Sequence, residues 1–160
     1  MTDEMDENLQ KIRDILEQQV GEYKDLLKLL QKERLRLMEL DGEAVEELSK
    51  QKDTVVLKLR LLEQERLRLL EKISAGFGAD GLLGLRELAA KTGNVAFQAL
   101  RGQLICLLQG IAELNEFNRV LVERSLTVVN RSLETLGARG PAVQGRGGRS
   151  GSGLVVSRNI

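Results

Sequence analysis

A seven-residue repeat of apolar side chains runs through the first half of the chain and constrains its fold more than any other feature. In residues 8–40 the repeat consists of Leu9, Leu16, Tyr23, Leu30 and Leu37. In residues 43–74 it consists of Leu48, Val55, Leu62 and Leu69. Apolar residues at this interval form one stripe along an α-helix, as in a coiled coil. The repeat therefore predicts two long amphipathic helices.

Short breaks separate the predicted helices. Asp41-Gly42 interrupts the repeat, and Asp41 is a suitable N-cap for the second helix. A connection this short predicts an antiparallel helical hairpin. The glycine-rich segment 75–81 ends the second helix, and a short helix is predicted over 82–91. Asn94 is the predicted N-cap of a last helix over 94–136, where apolar residues alternate at intervals of three and four.

The predicted fold class is all-α, with an antiparallel helical hairpin and a long C-terminal helix forming an elongated three-helix bundle or coiled coil. The short helix lies in the second connection. Few aromatic or β-branched residues precede position 120, which argues against a sheet. Residues 1–137 form the predicted helical domain. Residues 138–160 form a Gly/Arg-rich tail that we expect to be flexible, because it cannot bury enough apolar surface to order itself.

The predicted helix lengths leave one helix end uncovered. At ~1.5 Å per residue, the last helix is roughly 65 Å long and the first is roughly 50 Å long. In a three-helix stack the last helix would therefore exceed its neighbours by roughly 15 Å. Its end, from about 126 to 136, would expose an apolar stripe, and such stripes usually mark protein interfaces.

The composition provides few of the residue types that enzymes use for catalysis. The chain has no His, and its single cysteine, Cys106, cannot form a paired zinc ligand set. Cys106 lies between two apolar residues, and we expect a packed thiol. The glycines of segment 76–81 have the spacing of the dinucleotide-binding motif, but that motif follows a β-strand and no strand is predicted before this segment. We therefore expect no cofactor, no metal and no enzymatic activity.

The sequence also indicates where in the cell the protein is expected. Its acidic first residues do not form a secretory signal, and no apolar run approaches the ~20 residues of a membrane span. We expect a cytoplasmic protein without stable membrane insertion. Positive and negative side chains balance at 24 each, so a nucleic-acid partner is not expected. The arginine–glycine segment 145–149 keeps RNA binding by the tail open as an alternative.

Two amides stand beside the leucine stripe of the last helix. Asn115 and Asn118 are three residues apart and therefore share a helix face. Buried amides need hydrogen-bond partners and fix the register of packed helices. They could satisfy each other and nearby backbone within the bundle, or they could recognise another helix.

The last helix carries the pattern Leu114-Asn115-x-x-Asn118-x-x-Leu121-Val122-Glu123-x-Ser125-Leu126 after a charged hairpin and a glycine break. Over about 8–136 the chain resembles the FlgN-type flagellar export chaperones, which bind hook-associated proteins. The resemblance implies a bacterial cytoplasmic chaperone that holds helical terminal segments of hook–filament junction proteins before type III export. The resemblance also allows components of the export apparatus as further partners, and it allows the protein to form a weak homodimer.

The resemblance also implies that the last helix binds the client. The candidate client-binding residues are Leu114, Asn115, Phe117, Asn118, Leu121, Val122, Leu126, Val129 and Leu133. One helix cannot present all of these side chains to one partner. Family members often carry an aromatic residue shortly after this helix, whereas residues 138–141 contain none. The alternative interpretation is a structural coiled-coil adaptor that oligomerises and has no export client.

Overall fold

The computed structural model describes residues 2–137, and the helices account for most of them. The four helices, in chain order, are α1 (Asp3–Met38), α2 (Gly42–Gly76), α3 (Leu85–Thr92) and α4 (Val95–Thr135). The described residues contain no strand. The predicted all-α class, with a helical hairpin, a short helix and a long last helix, is confirmed. The predicted tail, 138–160, lies outside the described residues.

Local sequence explains where the helices begin. Asp41 Oδ1 accepts a hydrogen bond of 3.1 Å from the Ala44 amide, and Asn94 Oδ1 accepts one of 2.9 Å from the Ala96 amide. Both predicted N-caps are thus confirmed. α1 begins at Asp3, before its apolar repeat does, because three acidic residues in its first turn complement the positive end of the helix dipole.

Helix α1 is the centre of the molecule. It packs against both α2 and α4, whereas no Cα atom of α2 lies within 8 Å of a Cα atom of α4. The Met5 methyl at the start of α1 lies against Gly76 at the end of α2, so these two helices are antiparallel. Leu27 lies beside Gly110, and Leu30 beside Asn118, so α1 and α4 run parallel.

The core follows the seven-residue repeat of α1. Its buried stripe, spaced alternately by four and three residues, is Ile12, Leu16, Gln19, Tyr23, Leu26, Leu30, Glu33 and Leu37. Helix α3 contributes Leu85 and Leu88, which are fully buried against the core. These residues close the end of the bundle where α4 begins.

A polar contact joins three helices at one level. The Asn118 side-chain amide on α4 donates hydrogen bonds of 3.0 Å to the Leu30 carbonyl and to Glu33 Oε1, both on α1. The second carboxylate oxygen of Glu33 pairs with Lys52 of α2. Glu33 and Asn118 are buried. A buried amide bonded to a fixed carbonyl sets the register of α4 along α1.

A second polar group lies further down the same core. Arg66 of α2 is fully buried, and its guanidinium donates two hydrogen bonds of 2.8 Å to Glu63. Gln19 of α1 donates a bond of 3.0 Å to the same carboxylate. Burial raises the pKa of nearby Tyr23 to about 12, the Glu63 charge adds to this rise, and Arg66 opposes it.

Helix α4 is long and apolar enough, by length and composition, to cross a membrane. An 18-residue window in it has a mean hydropathy of 1.3, and 22% of that window is buried. The sequence shows why, because residues 102–112 carry no charge. A core helix of a soluble protein passes the same test, so the observation is weak evidence for a membrane span.

We expect Glu33→Ala to lower the free energy of unfolding by about 2–3 kcal/mol, because it removes an acceptor from buried Asn118 and the partner of Lys52. Urea denaturation followed by circular dichroism measures the change. Glu17→Ala is the matched control, since Glu17 pairs with Arg13 on the exposed side of α1. It should change stability by less than about 0.5 kcal/mol. Equal effects would contradict a structural role for Glu33.

Tyr23 is the sole tyrosine and the chain has no Trp, so tyrosinate absorbance reports this residue alone. We expect its titration midpoint near pH 12 in the folded protein and near ~10 in urea. Because the folded pKa is raised, the stability that this shift reflects is complete below about pH 10 and is lost as pH rises towards 12. A folded midpoint equal to the urea value would show that the hydroxyl is hydrated.

Candidate functional site

Helix α4 leaves the bundle before it ends. Its inward stripe is fully buried at Leu104, nearly so at Ile111, and 3% exposed at Asn118. Ser125 is the last half-buried residue of α4. Every residue from 126 to 137 is exposed.

The register contact fixes how far α4 projects. Asn118 lies level with Leu30 and Glu33 of α1. From that level α1 continues five to eight residues to Met38, while α4 continues seventeen to Thr135. The difference of nine to twelve residues is roughly 15 Å of helix. This length agrees with the excess predicted from the sequence.

A new apolar stripe begins where α4 leaves the bundle. We call it the distal seam, and it comprises Val122, Leu126, Val129, Leu133 and Leu136. The spacing of four, three, four and three residues is that of a coiled-coil seam. The first four side chains are between 39% and 50% exposed, and Leu136 is 80% exposed. The end of α4 thus carries a continuous apolar stripe that the described residues do not cover.

The distal seam is not the continuation of the bundle stripe. That stripe, continued past Leu121, consists of Ser125, Val128, Ser132 and Thr135. The hydroxyls of its three polar residues donate to backbone carbonyls of the preceding turn at 2.8–2.9 Å. The distal seam lies one residue further on, which is about 100° around the helix. The apolar side of α4 therefore changes direction at the point where α1 ends.

The positions beside the distal seam carry little charge. They are Glu123, Ser125, Asn130 and Ser132. In a coiled coil such positions hold the charges that choose partner and orientation. Association along the distal seam would therefore depend mainly on burial of apolar surface and little on salt.

A separate shallow groove of about 320 Å³ lies on another side of α4, lined by Glu113, Glu116, Phe117, Val120, Leu121 and Arg124. The Arg34 guanidinium of α1 lies over the Phe117 ring, 4.5 Å from its centroid. Arg119 beside the groove hydrogen-bonds Glu116 and lowers the pKa of that carboxyl. Phe117 and the distal seam therefore face different directions.

The structure divides the predicted site residues into three groups. Four of them lie together on the distal seam: Val122, Leu126, Val129 and Leu133. Three lie on the side towards α1 or the groove: Leu114, Phe117 and Leu121. The two amides separate, because Asn118 is buried against α1 while Asn115 is exposed, seven residues before Val122 on the same side of the helix.

Two features differ from the sequence expectations or add to them. Cys106 is exposed, which corrects the predicted packed thiol. It follows Leu104 by two residues, about 200° around α4, so it faces away from the stripe that includes Leu104. Leu136 extends the distal seam although it was not among the predicted site residues, and its seven-residue interval from Val129 was the signal for it. The described residues contain no group of three or more potential metal ligands.

We expect Leu133→Asp to change the free energy of unfolding by less than about 0.5 kcal/mol, because the projecting end of α4 contributes no core contact. Ile111→Asp, the same kind of change within the bundle, should cost more than about 3 kcal/mol. Urea denaturation of both variants tests this difference. A large loss in Leu133→Asp would mean that the distal seam is covered within the chain.

Comparison with models of protein families identifies the family of this chain. A family model described as FlgN protein matches residues 1–147, which is most of the chain. The comparisons with curated proteins and with solved structures gave no match. FlgN proteins are chaperones and not an enzyme family. Because the match spans nearly the full length and the fold is the predicted helical one, the chain belongs to the FlgN family of flagellar export chaperones.

Proposed function

We propose that this chaperone binds helical terminal segments of flagellar hook-associated proteins, in the cytoplasm and before their type III export. The observation that carries the proposal is the distal seam, which projects past the helices of its own chain. Membership of the FlgN family supports the chaperone role in general. The client and the compartment are the further steps that we propose.

The spacing of the distal seam favours a helical client. A row of apolar residues at intervals of four and three accepts the side chains of another helix as knobs into holes. Residues 122–136 make about four turns, roughly 21 Å of contact. A client helix of similar length with apolar residues at the same intervals would cover the distal seam completely.

The energetics suit a carrier that must release its cargo. The first four side chains of the distal seam are already about half shielded by their own helix. Complete burial therefore contributes roughly 1 kcal/mol each, about half of the ~1.5–3 kcal/mol for a fully exposed Val or Leu. Ordering a disordered client costs about 2–5 kcal/mol. We therefore expect moderate affinity and reversible capture.

The remaining predicted residues have supporting roles in this proposal. Asn115 is exposed in line with the distal seam and could meet the end of a client helix with its amide. Asn118 acts from within the bundle, by fixing how far α4 projects. Leu114, Phe117 and Leu121 lie on the other side of α4 and would require a second client segment or an export-apparatus component.

We expect Leu126→Asp combined with Leu133→Asp to weaken client binding by at least about 100-fold, because two carboxylates would be buried unpaired at the contact. The measurement is calorimetric titration with a terminal helical segment of a hook-associated protein, supported by co-purification. Circular dichroism should show unchanged helix content, since the altered side chains are exposed.

The matched control is Leu57→Asp combined with Leu61→Asp on α2. These leucines are 57% and 58% exposed, so the control adds the same charge to equally accessible apolar positions. It should leave client affinity within about twofold. Undiminished binding by the α4 variant, or equal losses in both, would contradict the distal seam as the client site.

The coiled-coil adaptor is the second candidate, because a heptad-spaced seam also fits a second copy of itself. Sedimentation of the pure protein separates the two. An adaptor forms a tight oligomer that the α4 variant dissociates, with no client bound. A chaperone of the proposed kind stays monomeric or weakly dimeric, with the distal seam free for its client.

A further inference from the structure

The turn between α1 and α2 exposes apolar side chains that have no cover among the described residues. Leu35, Met38 and Leu40 are 59%, 61% and 63% exposed. Leu35 and Met38 are three residues apart and share a helix face, with Leu40 in the turn beyond. We call residues 35–47 the hairpin tip. It lies at the level where α4 leaves the bundle.

Leu40 has an unusual backbone for its residue type. Its φ is 57°, and it is the sole non-glycine residue with positive φ in the described chain. The Asp41 amide donates to the Arg36 carbonyl and the Leu40 amide to the Leu37 carbonyl, a helix end at which glycine is usual. A leucine here is both strained and exposed, although glycine would relieve both conditions. This choice of residue suggests a contact at the hairpin tip.

The hairpin tip is also strongly acidic. Its carboxylates are Glu39, Asp41, Glu43, Glu46 and Glu47, and residues 37–49 contain no Lys or Arg. All five residues are exposed. Glu39 pairs with Arg36, whereas the three glutamates on α2 have no ion-pair partner within residues 2–137. An occupant of this surface must therefore be basic as well as apolar.

Residues 138–160 have the complementary chemistry. They contain four arginines and no acidic residue, and the apolar triplet 154–156 follows the arginines at 146 and 149. Their point of attachment, Gly137, lies roughly 15 Å beyond the hairpin tip along α4, and it has a positive φ of 67°. Charge, apolar content and point of attachment all favour this segment as the occupant.

The tether length matches the distance to be spanned. A glycine-rich chain of n residues has a mean end-to-end distance of about 5–6 Å × √n, so nine to twelve residues span about 15–21 Å. Arg146 is nine residues and Arg149 twelve residues after Gly137. Effective concentration is highest when the mean length of a tether equals the span, so even weak surface ion pairs become populated.

We propose that residues 138–160 dock on the hairpin tip, with arginines against its carboxylates and the triplet 154–156 over Met38 and Leu40. The contact covers the exposed apolar side chains of the tip. It also holds the basic tail away from the distal seam of α4. The inference concerns a different surface from the client site and does not depend on client binding.

A spin label beside the hairpin tip tests the contact in the full chain by nuclear magnetic resonance. Cys106, the sole cysteine, is first changed by Cys106→Ser, and Ser49→Cys, at an exposed position next to the hairpin tip but outside the proposed contact, then carries the label. We expect the amide signals of residues 146–156 to lose most of their intensity, and to regain it when the label is reduced. Raising salt from about 0.1 M to about 1 M shortens the screening length from about 10 Å to about 3 Å and should restore most of the signal.

Charge variants make the test specific. The tip variant combines Glu43→Gln, Glu46→Gln and Glu47→Gln, and it should abolish most of the signal loss. The matched control combines Asp3→Asn, Glu4→Gln and Asp6→Asn, which removes three exposed charges at the far end of α1, roughly 50 Å away. The control should retain the full effect of the label.

Three results would overturn the proposal. One is an absence of signal loss in the labelled protein that carries none of the charge changes. Another is an equal recovery in both charge variants, which would indicate a general response to net charge. The third is signal loss that persists in the tip variant but disappears with Leu126→Asp and Leu133→Asp, which would place the tail on the distal seam instead.

Discussion

The hydrogen bonds of Asn118 to α1 determine how far α4 projects beyond the bundle. They hold α4 in one register along α1, and Glu33 extends the same contact to Lys52 of α2. A slip of α4 by one heptad would move its projecting end by roughly 10 Å. Apolar packing alone would resist such a slip weakly, because leucines recur at similar intervals along α4. The buried amide therefore defines which apolar residues are covered and which remain free.

The interior combines this contact with the group of Gln19, Glu63 and Arg66. Burying charged side chains rarely adds stability compared with apolar residues of similar size. Two atoms of these contacts, Arg66 Nη1 and Asn118 Oδ1, are buried without a hydrogen-bond partner within residues 2–137. The two polar contacts are better explained as selecting one packing arrangement of the helices. They distinguish one alignment of three leucine-rich helices from several alternatives of similar apolar burial.

Local sequence patterns were sufficient to predict most of the fold. The seven-residue repeat predicts α1 and α2, and Asp41 and Asn94 mark helix starts because their side chains cap locally. The predicted helix lengths also indicated that α4 extends beyond the end of α1. The fate of each amide could not be predicted, because it depends on which helix lies opposite. The sequence also did not separate the bundle stripe from the distal seam, since both have intervals of three and four and differ only by a one-residue shift after Leu121.

Helix α4 has no glycine after Gly110 and no proline, so a single unbroken rod joins the bundle to the projecting end. The proposed client-binding surface is therefore pre-organised, and the conformational entropy of binding would be lost almost wholly by the client. The free end of this helix also allows stepwise release of a bound segment. Force applied at Leu136 would break one turn of contact at a time towards Val122, so the peak force would be far lower than for detaching the whole surface at once, although the total free energy is the same.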